Sequence, residues 1–254
     1  MSGLGEYQSD FLASEAVDPG EPRDGISCHQ RWIRETVGQS ALRVKGPLYP
    51  SETLRGQGGF LFGRIAPSIG ARFIEKYEWL GHAGRARIFY GIWRGDGTTP
   101  SLYGVEAFCP PPFGVAKSFD PEVRNRVLVL SRGACSLDAG RNAGSMLIAA
   151  CLRDLRKRGT AVVLAYSDLR AGETGACYRA AGAVHVGDTN TREKYGFVQG
   201  RWMSRNNVFR RSGRQLSDID CETRLDTASK RRFAWVIDRT VSLPEWMTPA
   251  EVAG

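Results

Sequence analysis

Two residues ten positions apart carry the clearest candidate chemistry in the chain. Asp168 follows the apolar run Ala161 to Tyr166 and sits just before a turn at Ala171-Gly172, while Tyr178 follows on a short predicted helix, Glu173 to Ala181. A carboxylate at the carboxyl end of a buried strand can take a proton from an amine or position it, and a nearby phenol can return one to a leaving group. The competing readings are structural: Asp168 caps the helix or braces the turn, and Tyr178 packs. Glu78, beside Trp79 at the end of another predicted helix, is a further candidate base. Its alternative is an exposed helical carboxylate.

A second group of residues suits an anion. The segment Arg141-Asn142-Ala143-Gly144-Ser145 opens a long helix after a loop without bulky side chains. Free amides and the positive end of the helix dipole then converge, a geometry that receives phosphate. Ser145 either bonds that phosphate or caps the helix. Arg132, at the end of the preceding strand, can meet an anion such as a phosphate, or else serve in an ion pair.

The elements that must position these residues are legible between 128 and 187. A strand at Val127 to Leu130 leads through the loop into a helix that runs to Arg158, with a basic last turn and Gly159 as stop. Strand, turn, short helix and a third strand, Ala183 to Val186, complete the unit. Upstream, Ser68 is a plausible N-cap for a helix that ends at Gly81, and the runs Arg87 to Arg94 and Leu102 to Cys109 form a hairpin. Phe119 to Arg126 forms one helical turn. Cys28 to Val44 holds a short amphipathic stretch, and Gly46 to Gly59 reads as loop. After Gly187 the pattern is irregular until Lys230-Arg231-Arg232 opens a final strand, Phe233 to Ile237.

Charge bounds the partners. The formal charge of the 254 residues is +8, yet residues 1–27 hold six acids against Arg23, net −5, so the remainder carries +13. Such a body attracts phosphate polyanions, which points to nucleic acid. Between Arg192 and Arg239 twelve Lys or Arg face six acids, interleaved with aromatics such as Tyr195, Trp202 and Phe209. That mixture suits phosphate contact and base stacking, with Arg201, Arg205, Arg210, Arg211 and Arg214 as the DNA-contacting candidates. The expected organisation is a flexible acidic arm at 1–27, one domain at 28–239 and a tail at 240–254. No apolar run approaches a membrane span and no leader pattern is present, so a cytoplasmic protein is expected. Six cysteines without a CxxC should be reduced thiols, and a zinc site is not expected; His82 and His185 read as structural rather than metal ligands. Oligomeric state is open.

These residues also carry a family resemblance. Hairpin, strand, Gly-containing loop, helix, strand and short helix resemble the core of GCN5-related N-acetyltransferases, which implies an α/β fold with a mixed splayed sheet and flanking helices. The 141–146 segment matches the first four positions of that family's loop pattern Gln/Arg-x-x-Gly-x-Gly/Ala and departs from it at the sixth, where Met146 stands in place of Gly or Ala. More specifically, EKYEWLG, LSRGAC, RNAGSM, AYSDLRAGETGACYRAAGAVHVG and KRRFAWVID, in this order over roughly residues 68–239, resemble the Mom DNA-modification proteins of bacteriophages. The resemblance implies conversion of adenine in DNA to N6-carbamoylmethyladenine, which protects phage DNA from restriction. It implies functional roles for Arg132, Ser145, Asp168 and Tyr178, and a small-molecule donor such as acetyl-CoA or another acyl donor. A carbamoylmethyl product carries an N–CH2 bond rather than an amide, so the residues leave the donor open. Two alternatives stand beside this: acyl-CoA-dependent acylation of another amine, including one on a hypermodified pyrimidine, and a catalytically inert DNA-binding module.

Overall fold

The apolar runs assemble into one nine-stranded sheet in a computed structural model of the chain. The structure describes residues 59–78, 82–94, 101–136, 139–140, 142–168, 173–189, 212–220 and 229–247, and the strand backbones at 42–43, 54–55, 192–198, 201–204 and 223–227. In chain order the first elements are β1 (Leu42–Arg43), β2 (Leu54–Arg55), β3 (Leu61–Arg64), α1 (Pro67–Tyr77), β4 (Ile88–Arg94) and β5 (Ser101–Cys109). Then follow α2 (Phe113–Lys117), α3 (Pro121–Arg124), β6 (Val127–Cys135), α4 (Ala143–Lys157), β7 (Val162–Asp168), α5 (Ala176–Ala180) and β8 (Val184–Asp188). Strands β9 (Arg192–Val198), β10 (Arg201–Ser204) and β11 (Thr223–Thr227) form a separate three-stranded sheet before β12 (Lys230–Val236) returns to the large one. The segment after Gly187, irregular in sequence, therefore contains three strands among its described residues.

The strand order is β2-β3-β4-β5-β6-β7-β12-β8, with β1 paired to β5. Every pairing is antiparallel except β6 with β7, which run parallel from Val127 and Val162 to Leu130 and Ala165. A parallel neighbour requires a crossover, and α4 supplies it. Beyond Leu130 and Ala165 the two strands part: β6 continues against β5 alone, and β7 against β12 alone. A register shift next to Phe108 leaves Ser131 as the extra residue on β6, a bulge that bends the strand at the point of divergence. This is the splayed sheet of the acyl-CoA N-acyltransferase fold.

Two layers of side chains hold the sheet. Along α4, Ala143, Leu147, Ile148, Cys151 and Leu155 recur at helical spacing and are buried against Phe108, Leu130, Val163 and Phe233. Each fully buried aliphatic of this set contributes on the order of 2 kcal/mol. On the other face Phe73, Ile74 and Tyr77 of α1 cover Phe89, Trp93, Val105 and Ala107. A third cluster joins Val127, Val162 and Leu164 to Met247, with Val241 and Leu243 packed against it, so the expected tail contributes to the core through Met247.

Four expected boundaries are corrected. Helix α1 starts at Pro67 with Ala66 as N-cap, because proline's fixed φ nucleates the first turn and leaves Ser68 inside it; the helix stops at Tyr77, where Glu78 turns extended, rather than at Gly81. Strand β6 runs on to Cys135, so Arg132 and Gly133 belong to a paired strand and not to the loop. Helix α5 is confined to Ala176–Ala180, since Glu173 is engaged with Asp168 and Gly175 adopts φ +73°. Strand β2 lies within the expected 46–59 loop. The acidic arm lies outside the described residues.

Candidate active site

The parting of β6 and β7 sets the site, because it exposes strand residues that a continuous sheet would cover. Side chains alternate across a strand, so register assigns each candidate to a face. Glu106 of β5, Gly133 and Cys135 of β6 and Ser167 of β7 lie on the α4 and α5 face. Arg132, Tyr166 and Asp168 lie on the α1 face, with Lys230 and Arg232 of β12 beside the last two.

Tyr178 projects from α5 onto β12. Its ring makes edge contacts with Phe233 at 5.4 Å and Trp235 at 5.8 Å. The short helix is fixed at both ends: the indole N–H of Trp235 donates to the Ala181 carbonyl at 2.9 Å, and Gly175 packs so close to Phe233 that a Cβ there would collide with the ring. Burial pushes the Tyr178 phenol well above its ordinary pKa, and the negative charges of Glu173 and Glu106, the Cys177 thiol and Glu78 add to the effect. Tyr178 is thus held protonated, the state required of an acid.

Glu106 is the residue that the sequence reading missed. It is 5% exposed on a central strand, and its carboxylate fills the space above Gly133. The available signal was a lone carboxylate inside the otherwise apolar run Leu102 to Cys109. Glu78, expected as an exposed carboxylate or a base, is also only 5% exposed. It stands 4.0 Å from Arg132, whose Nε donates to the His82 carbonyl at 3.0 Å and whose other end donates to the Ser131 carbonyl at 2.6 Å. Arg132 therefore ties the segment after α1 to β6. Burial, with Arg132 alongside, holds the His82 imidazole below its ordinary pKa.

Asp168 is engaged on two sides. Its carboxylate lies 3.0 Å from Lys230 Nζ, and its N–H donates to Glu173 Oε2 at 2.9 Å, while the Glu173 N–H donates back to the Asp168 carbonyl at 3.0 Å. This clamp closes the turn between β7 and α5. The structure places Asp168 and Tyr178 on opposite faces of the sheet at the same opening, rather than side by side. His185, for its part, pairs with Asp188 at 2.8 Å. Among the described residues no cluster of His, Cys, Asp and Glu has metal-binding proximity.

Ser136, Asn142 and the start of α4 form the candidate donor cradle. The amides of Gly144 and Ser145 lack a carbonyl one turn earlier within the helix, while that of Ala143 donates to the Gly140 carbonyl at 3.4 Å. The Ser145 hydroxyl donates to the Asn142 carbonyl at 3.0 Å, and Asn142 makes no side-chain cap. Ser136 Oγ is buried with no hydrogen-bond partner among the described residues, and so is Ser167 Oγ on the opposite wall. Gly144 lets α5 approach, since a Cβ would stand 2.9 Å from the Cys177 sulfur. Orphaned hydroxyls, an open helix terminus and a glycine at the close approach fit a phosphate-bearing donor laid against the start of α4. Arg141 lies outside the described residues. The larger cavity, about 240 Å³, is elsewhere: Arg64, Arg126, Leu128 and Thr160 line it at the other end of the sheet.

Residues 59–237 match the Mom protein family. The chain belongs to that family. No curated protein matches the sequence. Among solved structures it is similar to the ribosomal-protein-S5-alanine acetyltransferase from Vibrio fischeri, at 9% identity and TM-score 0.42, over 73% of this chain and 97% of the other. The ribosomal-protein-S18-alanine N-acetyltransferase from Escherichia coli gives 13% and 0.39, over 70% and 94%. The IAA acetyltransferase from Bacillus cereus gives 11% and 0.38, over 69% and 97%. At these values the likenesses bear on neither substrate nor donor.

Two of the five DNA-contacting candidates of this Mom-family chain lie among the described residues. Arg201 lies on β10, Arg214 is exposed and its guanidinium donates to the Asp218 carbonyl, and Arg205, Arg210 and Arg211 lie outside the described residues. No helix among the described residues is long and apolar enough to cross a membrane.

Proposed function

We propose that the protein transfers a small group from an activated donor to an exocyclic amine of a base in DNA, with adenine N6 as the acceptor and carbamoylmethylation as the change. The observation that carries this reading is the parting of β6 and β7 in a Mom-family chain, with a protonated Tyr178 and a buried Glu106 on one face of the opening. The basic body supports a polyanionic acceptor, and modification of this kind would protect DNA from restriction.

Transfer forms a bond from the amine nitrogen to carbon as the bond from that carbon to its leaving group breaks. The amine proton must reach a carboxylate, and Glu106, Glu78 and Asp168 are the carboxylates at the opening. The leaving group takes the phenolic proton of Tyr178. Acetyl-CoA or another acyl donor would supply an activated carbonyl and a thiolate leaving group, held by the amides of Gly144 and Ser145 and the hydroxyl of Ser136. A carbamoylmethyl product instead needs a donor activated at its methylene carbon, which the same phosphate cradle accommodates.

One observation favours a second reading, acylation of an aliphatic amine such as one on a hypermodified pyrimidine. Glu106, Glu173 and Glu78 all act electrostatically on Tyr178, and such a carboxylate group suits an ammonium ion that must lose a proton. Mass spectrometry of nucleosides from digested DNA of cells expressing the protein separates the readings. Carbamoylmethyladenine supports the first and an acylated pyrimidine the second. Unmodified nucleosides, with DNA binding retained, would leave an inert binding module.

A further inference from the structure

Trp246 lies beyond the family-matched span, in a short 3-10 turn, Glu245–Met247, on the α1 face of the sheet. Met247 is fully buried and anchors the turn, yet Trp246 is 45% exposed. Beneath it is Arg232, whose guanidinium lies 4.4 Å from the indole centroid and 5.9 Å from the ring of Tyr166. Arg232 is 8% exposed, its Nε has no hydrogen-bond partner among the described residues, and its guanidinium donates to the Val186 carbonyl at 3.5 Å and is hydrogen-bonded to the Tyr166 side chain. Among the described residues no carboxylate pairs with it. Aromatic rings thus take the place of a counter-ion, and an indole is held over a buried cation at little entropic cost.

The platform borders the opening already described. Arg232 and Lys230 are two residues apart on one strand, hence about 7 Å apart on one face, and they pair with Tyr166 and Asp168 of β7. We infer that Trp246, backed by Arg232, is a stacking platform for a nucleobase of the DNA acceptor, next to the site of transfer. The inference rests on the reading of DNA as acceptor. An exposed indole over cations suits a base whose own phosphates are anionic; an apolar protein partner would be better served by an uncharged surround.

The test is a binding cycle that needs no turnover. Wild-type protein and W246A are titrated with a labelled short single strand and with the same strand carrying one abasic position. Wild type should bind the intact strand roughly ten-fold more tightly than W246A, lose that margin on the abasic strand, and W246A should not distinguish the two. W246F, which keeps a ring over Arg232, should retain most of the margin; if W246A fails to fold, W246F against W246L gives the same comparison. Equal affinity of wild type and W246A, or an equal loss on intact and abasic strands, overturns the inference. So does concentration-dependent self-association of wild type that W246A abolishes, which would make the patch a contact between copies. Nucleoside analysis of wild type decides the acceptor reading separately.

Discussion

The carboxylate of Glu106 occupies the space that a side chain on Gly133 would fill. These residues face each other across β5 and β6, and a Cβ on Gly133 would stand 2.8 Å from the farther carboxylate oxygen and closer still to the nearer one. Glycine is needed here for room. A methyl group at this position must push the carboxylate, the far end of a flexible side chain, away from the opening, so Gly133→Ala should lower activity at least ten-fold with little loss of stability. Glu106→Gln, nearly identical in volume, should lose activity with a melting temperature close to wild type. Activity assays and thermal melts on both variants check this, and wild-type activity in Glu106→Gln would remove Glu106 from the chemistry.

Tyr178 should remain a phenol across the working pH range. Its pKa in the fold is raised above the ordinary value of about 10. A raised pKa means that the fold favours the protonated form. That contribution is therefore complete below about pH 10 and is lost as pH climbs through the folded value. Titration of tyrosinate absorbance should give wild type and Tyr178→Phe the same number of ionising groups up to about one unit above that ordinary value. An additional tyrosinate in wild type at lower pH would contradict a proton-donating role. The same Phe variant should abolish base modification with DNA affinity unchanged.

Much of the unit from 127 to 188 was legible because its signals are local: apolar runs, a glycine stop at Gly159 and helical periodicity along α4. The role of Glu106 was less so, since its partner Gly133 is distant in sequence and the pairing shows only once β5 and β6 are in register. Strand alternation likewise decides that Asp168 and Tyr178 sit on opposite faces, a relation that their ten-residue spacing conceals. Trp246 was absorbed into an expected tail because nothing near it in sequence signals Met247's burial or the contact with Arg232.

Phosphate contacts by the arginines between 201 and 214 should appear as salt dependence. If Arg201, Arg205, Arg210, Arg211 and Arg214 meet DNA phosphates, affinity should fall steeply with salt. Replacing all five with Gln should reduce the slope of log affinity against log salt by up to about four or five. Binding isotherms at several salt concentrations measure the slope. An unchanged slope in the multiple variant would move the DNA contact to another surface.

The pairing of Asp168 with Lys230 allows its two readings to be separated. The ion pair is partly exposed, with side-chain accessibilities of 14% and 31%, so its loss should cost only about 1 kcal/mol. If Asp168 only braces the turn, Lys230→Met and Asp168→Asn should lower activity and stability alike, and the double variant should resemble either single one. If Asp168 accepts the amine proton, Asp168→Asn should reduce the maximal rate by at least a hundred-fold while Lys230→Met leaves most of it. Rates and melts for the four members of this cycle decide between brace and base; a Lys230→Met profile that matches wild type in both would detach the ion pair from the chemistry.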